Sequence, residues 1–369
     1  SPPNRLMNKK DISEIKKTLK PENSSIELIR TCYVNGEKKI VASHKSSFLS
    51  LDEEEQHKYM DILKKAMSGK LNLSLLNLEF PNEAEQDGGT QNRLYKMMKD
   101  GLEDNDMADL FFEELVNTYV HTGNYLILLA YGNYGIPSRA SDGADLGESE
   151  YVYSFFICCL CPVDLSKPGL CYSHNDKTFV NAEREWIAGN PEVAFTFPAF
   201  SDRQMDIHHA LYYTKKATEP HEEISDTILG CVLPMAADDQ KEAFKEMVQE
   251  SLGENANIHN IVNLNREIES YVDDMERDDE TPIMNGKDVA NLLSRSGVDS
   301  DIKSEEFEVM ADVVADEKYI FEAEGMKLQV SKDFIDFVEQ KTINGRPCLV
   351  LPLSGTTLNG IKLFQKIEK

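Results

Sequence analysis

Long apolar runs are missing from this chain. A membrane-spanning helix needs ~18–20 consecutive apolar residues, and the longest uncharged apolar stretch, Tyr151 to Val163, is only strand-sized. The opening SPPNRLMNKKDISEIKKTLK holds no apolar core of a secretory signal, so the expectation is a cytoplasmic protein. Met7 reads as a natural start, with Ser1–Leu6 an added or longer leader. Cysteine is scarce and odd in number, seven in 369 residues, which is no disulfide framework and points to reduced thiols. No GxGxxG, P-loop, HExxH or GxSxG occurs, so the familiar signatures of dinucleotide, phosphate, zinc-protease and serine-hydrolase chemistry are missing. Positive charge is short as well. The 39 Lys and Arg stand against 65 Asp and Glu, a net charge of −26. So acidic a surface repels phosphate backbones, which disfavours general nucleic-acid binding.

What is present is a chain with 41% hydrophobic residues, enough for a sizeable core and, at roughly 150 residues per domain, for two or three domains. The charge is unevenly placed. Residues 1–100 carry 17 basic and 15 acidic residues, a net of +2, so the remaining 269 carry −28. The basic end is an N-terminal helix with Lys9, Lys10, Lys16, Lys17 and Lys20, a narrow apolar stripe of Ile12, Ile15 and Leu19, Asp11 or Ser13 as cap, and Pro21 as stop. Its functional reading is a docking helix for an acidic protein or ribonucleoprotein surface. An ordinary helix with a solvated Lys face gives the same pattern.

Strand and helix signals alternate without a regular repeat. Ile26–Val34 and Lys39–Ser43 flank Asn35-Gly36, a two-residue hairpin signal. A helix follows Asp52, Leu75–Phe80 reads as a strand, and helices span 91–102 and 107–121. The stretches 124–134, 151–163, 177–181, 193–197 and 207–214 read as strands, with 137–150 an exposed loop. This is not the alternation of a doubly wound sheet; the pattern predicts an α+β domain over 8–235, a mixed or antiparallel sheet with helices on one side. Beyond Pro234 the periodicity becomes helical: 238–252, 258–275, 287–294 and 303–314, with the acidic linker 273–280 between. This predicts a helical segment over 236–317 and a small β module over 318–369, the latter holding Asn-Gly turns at 344–345 and 359–360.

Two clusters carry chemistry. Cys158-x₂-Cys161-x₉-Cys171-x₂-His174 has the donor types of a tetrahedral zinc site. However, Cys158 and Cys161 lie in the strand-like SFFICCLCPV, where residues three apart face opposite ways, and Pro162 stands where a knuckle places Gly. The reading is therefore no bound metal and no cofactor. The second cluster is Asp202, Arg203, Asp206 and His208, within seven positions leading into an apolar strand. A carboxylate beside a His fixes its tautomer and an Arg holds an anion, the composition of an acid–base site. No nucleophile accompanies it, and structural ion pairs at a strand start have the same composition. Strand alternation gives His208 the polar company and makes His209 the packed imidazole. The acidic run Asp299–Glu305 lacks the glycine and the final glutamate of a calcium loop and is rejected.

The opening Met7-Asn-Lys-Lys-Asp-Ile-Ser-Glu-Ile-Lys-Lys-Thr-Leu-Lys-Pro21 resembles the start of a bacterial family, domain of unknown function 4317. Ile157–Val163, Phe197–Phe200 with Asp202-Arg203 and Asp206–His208, Leu211–Thr214 and Asn344–Val350 are similar to it too. The resemblance covers nearly the whole chain from Met7. It implies a cytoplasmic protein of Firmicutes and transfers no catalytic residue. The expected function is a non-catalytic binding or regulatory factor, with a translation-associated setting suggested by element order alone. The alternative is a small-molecule hydrolase or transferase working through Asp202, Arg203, Asp206 and His208.

Overall fold

The computed structural model describes residues 5–139, 145–300, 302 and 307–363. Its contacts divide the chain into two compact units, one reaching Asp238 and taking in Asp279–Thr281, the other Asp239–Asp278 with the residues from Pro282 onward.

The first unit is α+β, built on one antiparallel sheet. In chain order its elements are α1 (Lys9–Lys17), β1 (Ile26–Val34), β2 (Ile40–Ser47), α2 (Glu53–Lys65), β3 (Leu75–Glu79), α3 (Asn82–Glu85), α4 (Thr90–Asp100), α5 (Asn105–Thr118), β4 (Asn124–Arg139) and β5 (Asp145–Leu165). There follow β6 (Leu170–Ser173), β7 (Thr178–Asn181), β8 (Trp186–Ala188), β9 (Val193–Phe197), β10 (Ala199–Ser201), β11 (Gln204–Asp206), β12 (His209–Thr214) and a π-helical turn at Ile224–Leu229. The sheet order is β2-β1-β4-β5-β9-β12-β3, with β8 on the end of β5. Each pairing in it is antiparallel.

Helices cover both faces of this sheet, not one. Phe156, Cys158 and Leu160 of β5 join a core with Leu94 and Met97 of α4, Phe111 and Phe112 of α5, and Ile228. Phe155, Ile157, Cys159 and Cys161 join a second core with Ile12 and Ile15 of α1 and Met60 and Leu63 of α2. The physical reason lies in the strands: FFICCLC and VAFTF are continuous apolar runs, and a strand apolar on both sides must be buried on both sides. Every residue of β9 is buried.

Several local expectations change. Asn8, not Asp11 or Ser13, caps α1: its side chain accepts from the Lys10 and Asp11 amides, while Asp11 accepts from the Asn8 amide at 3.0 Å, a reciprocal box. The β1–β2 connection is longer than two residues. Asn35 Oδ1 accepts from the Glu37 and Lys39 amides, and the left-handed residue is Lys38, not Gly36. Most of the loop expected over 137–150 is strand, Pro137 pairing with Ser149 and Arg139 with Asp145; its centre, 140–144, lies outside the described residues.

The second unit holds α6 (Ala237–Leu252), α7 (Ile258–Arg277), β13 (Ile283–Asn285), α8 (Gly286–Arg295), β14 (Glu308–Met310), α9 (Ala311–Val314) and strands β15 to β20. The acidic stretch read as a linker from Asp273 continues α7 to Arg277. The helix expected over 303–314 becomes β14, paired with β13, and the short α9; residues 303–306 and Asp301 of the rejected calcium loop lie outside the described residues. Phe244, Leu264, Ile268, Met284, Leu292 and Val309 form one cluster, and Val262, Tyr319, Val330, Ile335 and Val338 another. The buried amides of Gln240 and Asn265 fix the ends of this packing: Gln240 Oε1 accepts from the Met310 amide and Asn265 Oδ1 from the Asp316 amide, both at 2.8 Å. The final strands make three separate hairpins, β15–β16 (Tyr319–Ala323, Met326–Val330), β17–β18 (Glu339–Ile343, Arg346–Val350) and β19–β20 (Thr357–Leu358, Ile361–Lys362). The last two turn at Asn344-Gly345 and Asn359-Gly360, where both residues have the positive φ that a two-residue turn requires.

Candidate functional site

The stretch around Asp202, which the sequence shows only as the approach to an apolar strand, is a hairpin. Ala199 pairs with Asp206, Phe200 with Met205 and Ser201 with Gln204, which leaves Asp202-Arg203 as a two-residue turn. Both turn residues have positive φ, 51° and 55°. That conformation costs an arginine about 1 kcal/mol relative to glycine, so something outside the turn must hold it. The holder is the Arg203 side chain. Its Nη1 donates to Glu14 Oε1 of α1 at 2.7 Å and its Nη2 to the Pro137 carbonyl of β4 at 2.5 Å. Tyr134 Oη donates to the same Glu14 oxygen at 2.8 Å. Asp202 stays half exposed, 3.9 Å from Arg5 Nη2.

Asp206 is buried, and its carboxylate serves two neighbours. Oδ1 accepts from the His208 amide at 3.0 Å, and Oδ2 meets Nδ1 of His209 at 2.8 Å. The imidazole beside Asp206 is therefore His209, the one expected to be simply packed. His208 turns away to Glu85 at the end of α3, Nδ1 to Oε1 2.6 Å, and its ring is 44% exposed. Burial pulls the His209 imidazole down; the bond to Asp206 and its charge, with Glu79 and Glu85 beyond, outweigh this and hold its pKa above the ordinary value. The corner is fastened further by Gln91 Nε2, which donates to the Ile207 carbonyl at 2.9 Å, and by the Phe80 amide, which donates to the His208 carbonyl at 2.9 Å.

The four residues singled out in the sequence thus turn to separate partners: Arg203 to Glu14, Asp206 to His209, His208 to Glu85, and Asp202 toward solvent and Arg5. An Asp–His pair can orient an imidazole as a general base. Among the described residues no hydroxyl or thiol hydrogen-bonds His209, so the second half of a nucleophilic pair is not assembled there. Glu14, Glu85 and His209 escaped the sequence reading because two of them lie over 120 positions away and the third was assigned to the core.

The cysteine set is spread out. Cys158 belongs to the core on one face of the sheet and Cys161 to the core on the other. Cys171 sits exposed on β6 opposite Val180, and the ring of His174 packs at 5.1 Å against Tyr172. Burial raises the Cys158 thiol well above its ordinary range and pushes Cys161 up to about 12. Among the described residues no group of three or more His, Cys, Asp or Glu is placed to hold a metal ion.

The basic helix α1 is folded against the second core with its lysines outward. Lys10 Nζ donates to Asp279 Oδ1 at 2.8 Å. Lys17 and Lys20 are exposed, and Lys16 Nζ donates to Ser68 Oγ at 2.7 Å, just past α2. Lys64 and Lys65 in the last turn of α2 stand close enough to Lys16 to depress its pKa, after the larger effect of burial. These two lysines extend the basic surface beyond α1. Their signal in the sequence was the doubled lysine at the end of a predicted helix, which taken alone only complements the helix dipole.

Compared with known protein families, residues 7–361 match the domain of unknown function DUF4317, and the chain belongs to that family. No curated protein matches it. No helix among the described residues is long and apolar enough to cross a membrane.

Proposed function

We propose that this member of the family is a non-catalytic binding or regulatory factor of the bacterial cytoplasm, which docks on a partner macromolecule through the basic face of α1. The observation that carries the reading is the contrast between two sets of charges. At the 199–209 corner Arg203 and His208 are each engaged with a carboxylate from another part of the first unit, and Asp206 with His209 of the corner itself, as ion pairs that fasten a hairpin are. On α1 and the end of α2, by contrast, Lys16, Lys17, Lys20, Lys64 and Lys65 take part in no ion pair among the described residues. Unpaired cations gathered on one surface of a chain of net charge −26 suit recognition of an acidic partner, because they steer and orient an encounter. The cytoplasmic setting is supported by seven free thiols, which suit a reducing compartment. A translation-associated partner remains part of the proposal on element order only. The hydrolase or transferase alternative gains nothing from side chains that turn to different partners. The test is affinity purification from the native host, with mass spectrometry of co-purifying proteins and small molecules. A recurrent macromolecular partner is expected; turnover of a co-purifying small molecule that is lost in H209A would overturn the reading.

A further inference from the structure

The ends of α1 and α2 are clasped together by a lysine. Lys16 Nζ donates to Ser68 Oγ at 2.7 Å, and Ser68 Oγ donates to the Lys64 carbonyl at 2.6 Å. The clasp brings the last turn of α2 beside Lys16, where Lys64 and Lys65 lower its pKa after the larger effect of burial, and no carboxylate figures among the groups that act on it. Lysines in the last turn of a helix complement its dipole. That accounts for each pair separately, but not for Lys64 and Lys65 both bearing on the Lys16 ammonium while none of the three takes part in an ion pair among the described residues. Like charges so placed repel one another, and an anion seated among them relieves the repulsion.

We infer that this junction of Lys16, Lys64 and Lys65 is the anchor of the docking surface, and that it takes a short acidic peptide segment of a partner protein. The inference rests on the docking reading above and adds α2 and the chemistry of the occupant to it. The choice of peptide over nucleic acid follows from what surrounds the junction. Glu53, Glu54 and Glu55 stand exposed in the first turn of α2, about 18 Å from its last turn at ~1.5 Å per residue. A phosphate backbone that continues along α2 is repelled once it comes within about one Debye length, ~8 Å at physiological salt, of those carboxylates, and the net charge of −26 disfavours it further. Three or four carboxylates on a flexible segment fit the junction without reaching them. Lysine, a compact point charge with three donors, imposes no planar geometry and suits such a segment.

The experiment titrates the full chain into a fluorescein-labelled decapeptide carrying six glutamates and, separately, into a labelled 20-nucleotide RNA, reading anisotropy at low and physiological salt. The peptide is expected to bind more tightly than the RNA, with an affinity that falls as salt rises. K64Q/K65Q should weaken it about tenfold and leave the melting temperature unchanged. If K64Q/K65Q binds the peptide like the parent while K17Q/K20Q loses it, the junction is refuted and docking through α1 stands. If the RNA binds more tightly and depends on Lys64 and Lys65, the acidic-peptide occupant is overturned in favour of a nucleic acid. If neither probe binds, the junction and the docking reading fail together.

Discussion

Removing the Asp206 carboxylate should destabilise the first unit by an amount that depends on pH. In D206A the His208 amide loses its acceptor at 3.0 Å and His209 loses its partner at 2.8 Å, at a corner where the Asp206 side chain is 4% and that of His209 18% exposed. Breaking a buried charged pair costs ~3–5 kcal/mol, because the surviving partner keeps its desolvation penalty. The partial exposure of His209 argues for the lower end, about 3 kcal/mol. For a unit of this size that is a melting temperature lower by roughly 6–12 °C. The pH dependence has a definite sign. The folded-state pKa of His209 lies above its unfolded value, so protonated His209 contributes its full stability below pH ~6.5, and the contribution fades as pH rises through the folded value. The gap between wild type and D206A should therefore be wider at pH 6 than at pH 9. H209Q should lose the same pH dependence while keeping a side-chain donor for Asp206. Circular-dichroism melts of the three proteins between pH 5.5 and 9 measure it. A D206A loss under 2 °C, or a gap that widens with rising pH, would refute the reasoning.

Three further outcomes follow from the same geometry. Arg203 and Glu14 should show a coupling of about 1–3 kcal/mol in a double-mutant cycle with R203A and E14A, because the pair offsets the cost of the left-handed turn; additive losses would show the turn is held otherwise. Of the seven free thiols, exposed Cys171 and half-buried Cys348 should react quickly with an aromatic disulfide reagent in the native protein, the other five only on unfolding. Rapid labelling of Cys158 or Cys161 would contradict their placement in the two cores. Elemental analysis of the purified chain should find no stoichiometric zinc, since Cys158 and Cys161 face opposite sides of β5; about one zinc per chain, lost in C171S, would overturn this.

Much of the fold was legible residue by residue. The helices over 238–252 and 258–275 and the strand 193–197 stand where their periodicity places them. The Asn-Gly turns at 344 and 359 are two-residue turns because both positions must adopt positive φ, which asparagine and glycine tolerate. The hairpin at 199–206 was hidden by the same rule: Asp-Arg is a poor turn pair, and the distant Glu14 and the Pro137 carbonyl hold its arginine. Burial on both faces was present in FFICCLC and VAFTF, but an unbroken apolar run does not say how many layers cover it. At the site, proximity in sequence suggested that Asp202, Arg203, Asp206 and His208 act together. A tight turn followed by a strand sends neighbouring side chains to opposite faces, so Arg203 and His208 met carboxylates from elsewhere in the chain while Asp206 met His209. The basic surface was half legible: its α1 lysines are local in sequence, whereas Lys64 and Lys65 join Lys16 only through the packing of two helices.

Docking through the basic surface of α1 stands or falls on one comparison. Wild type and K16Q/K17Q/K20Q are expressed at equal levels in the native host, and co-purifying proteins and nucleic acids are quantified after affinity capture. One dominant partner with an acidic segment is expected, and it should fall at least tenfold in the variant while the fold stays intact by circular dichroism. An unchanged set of partners in the variant would contradict it.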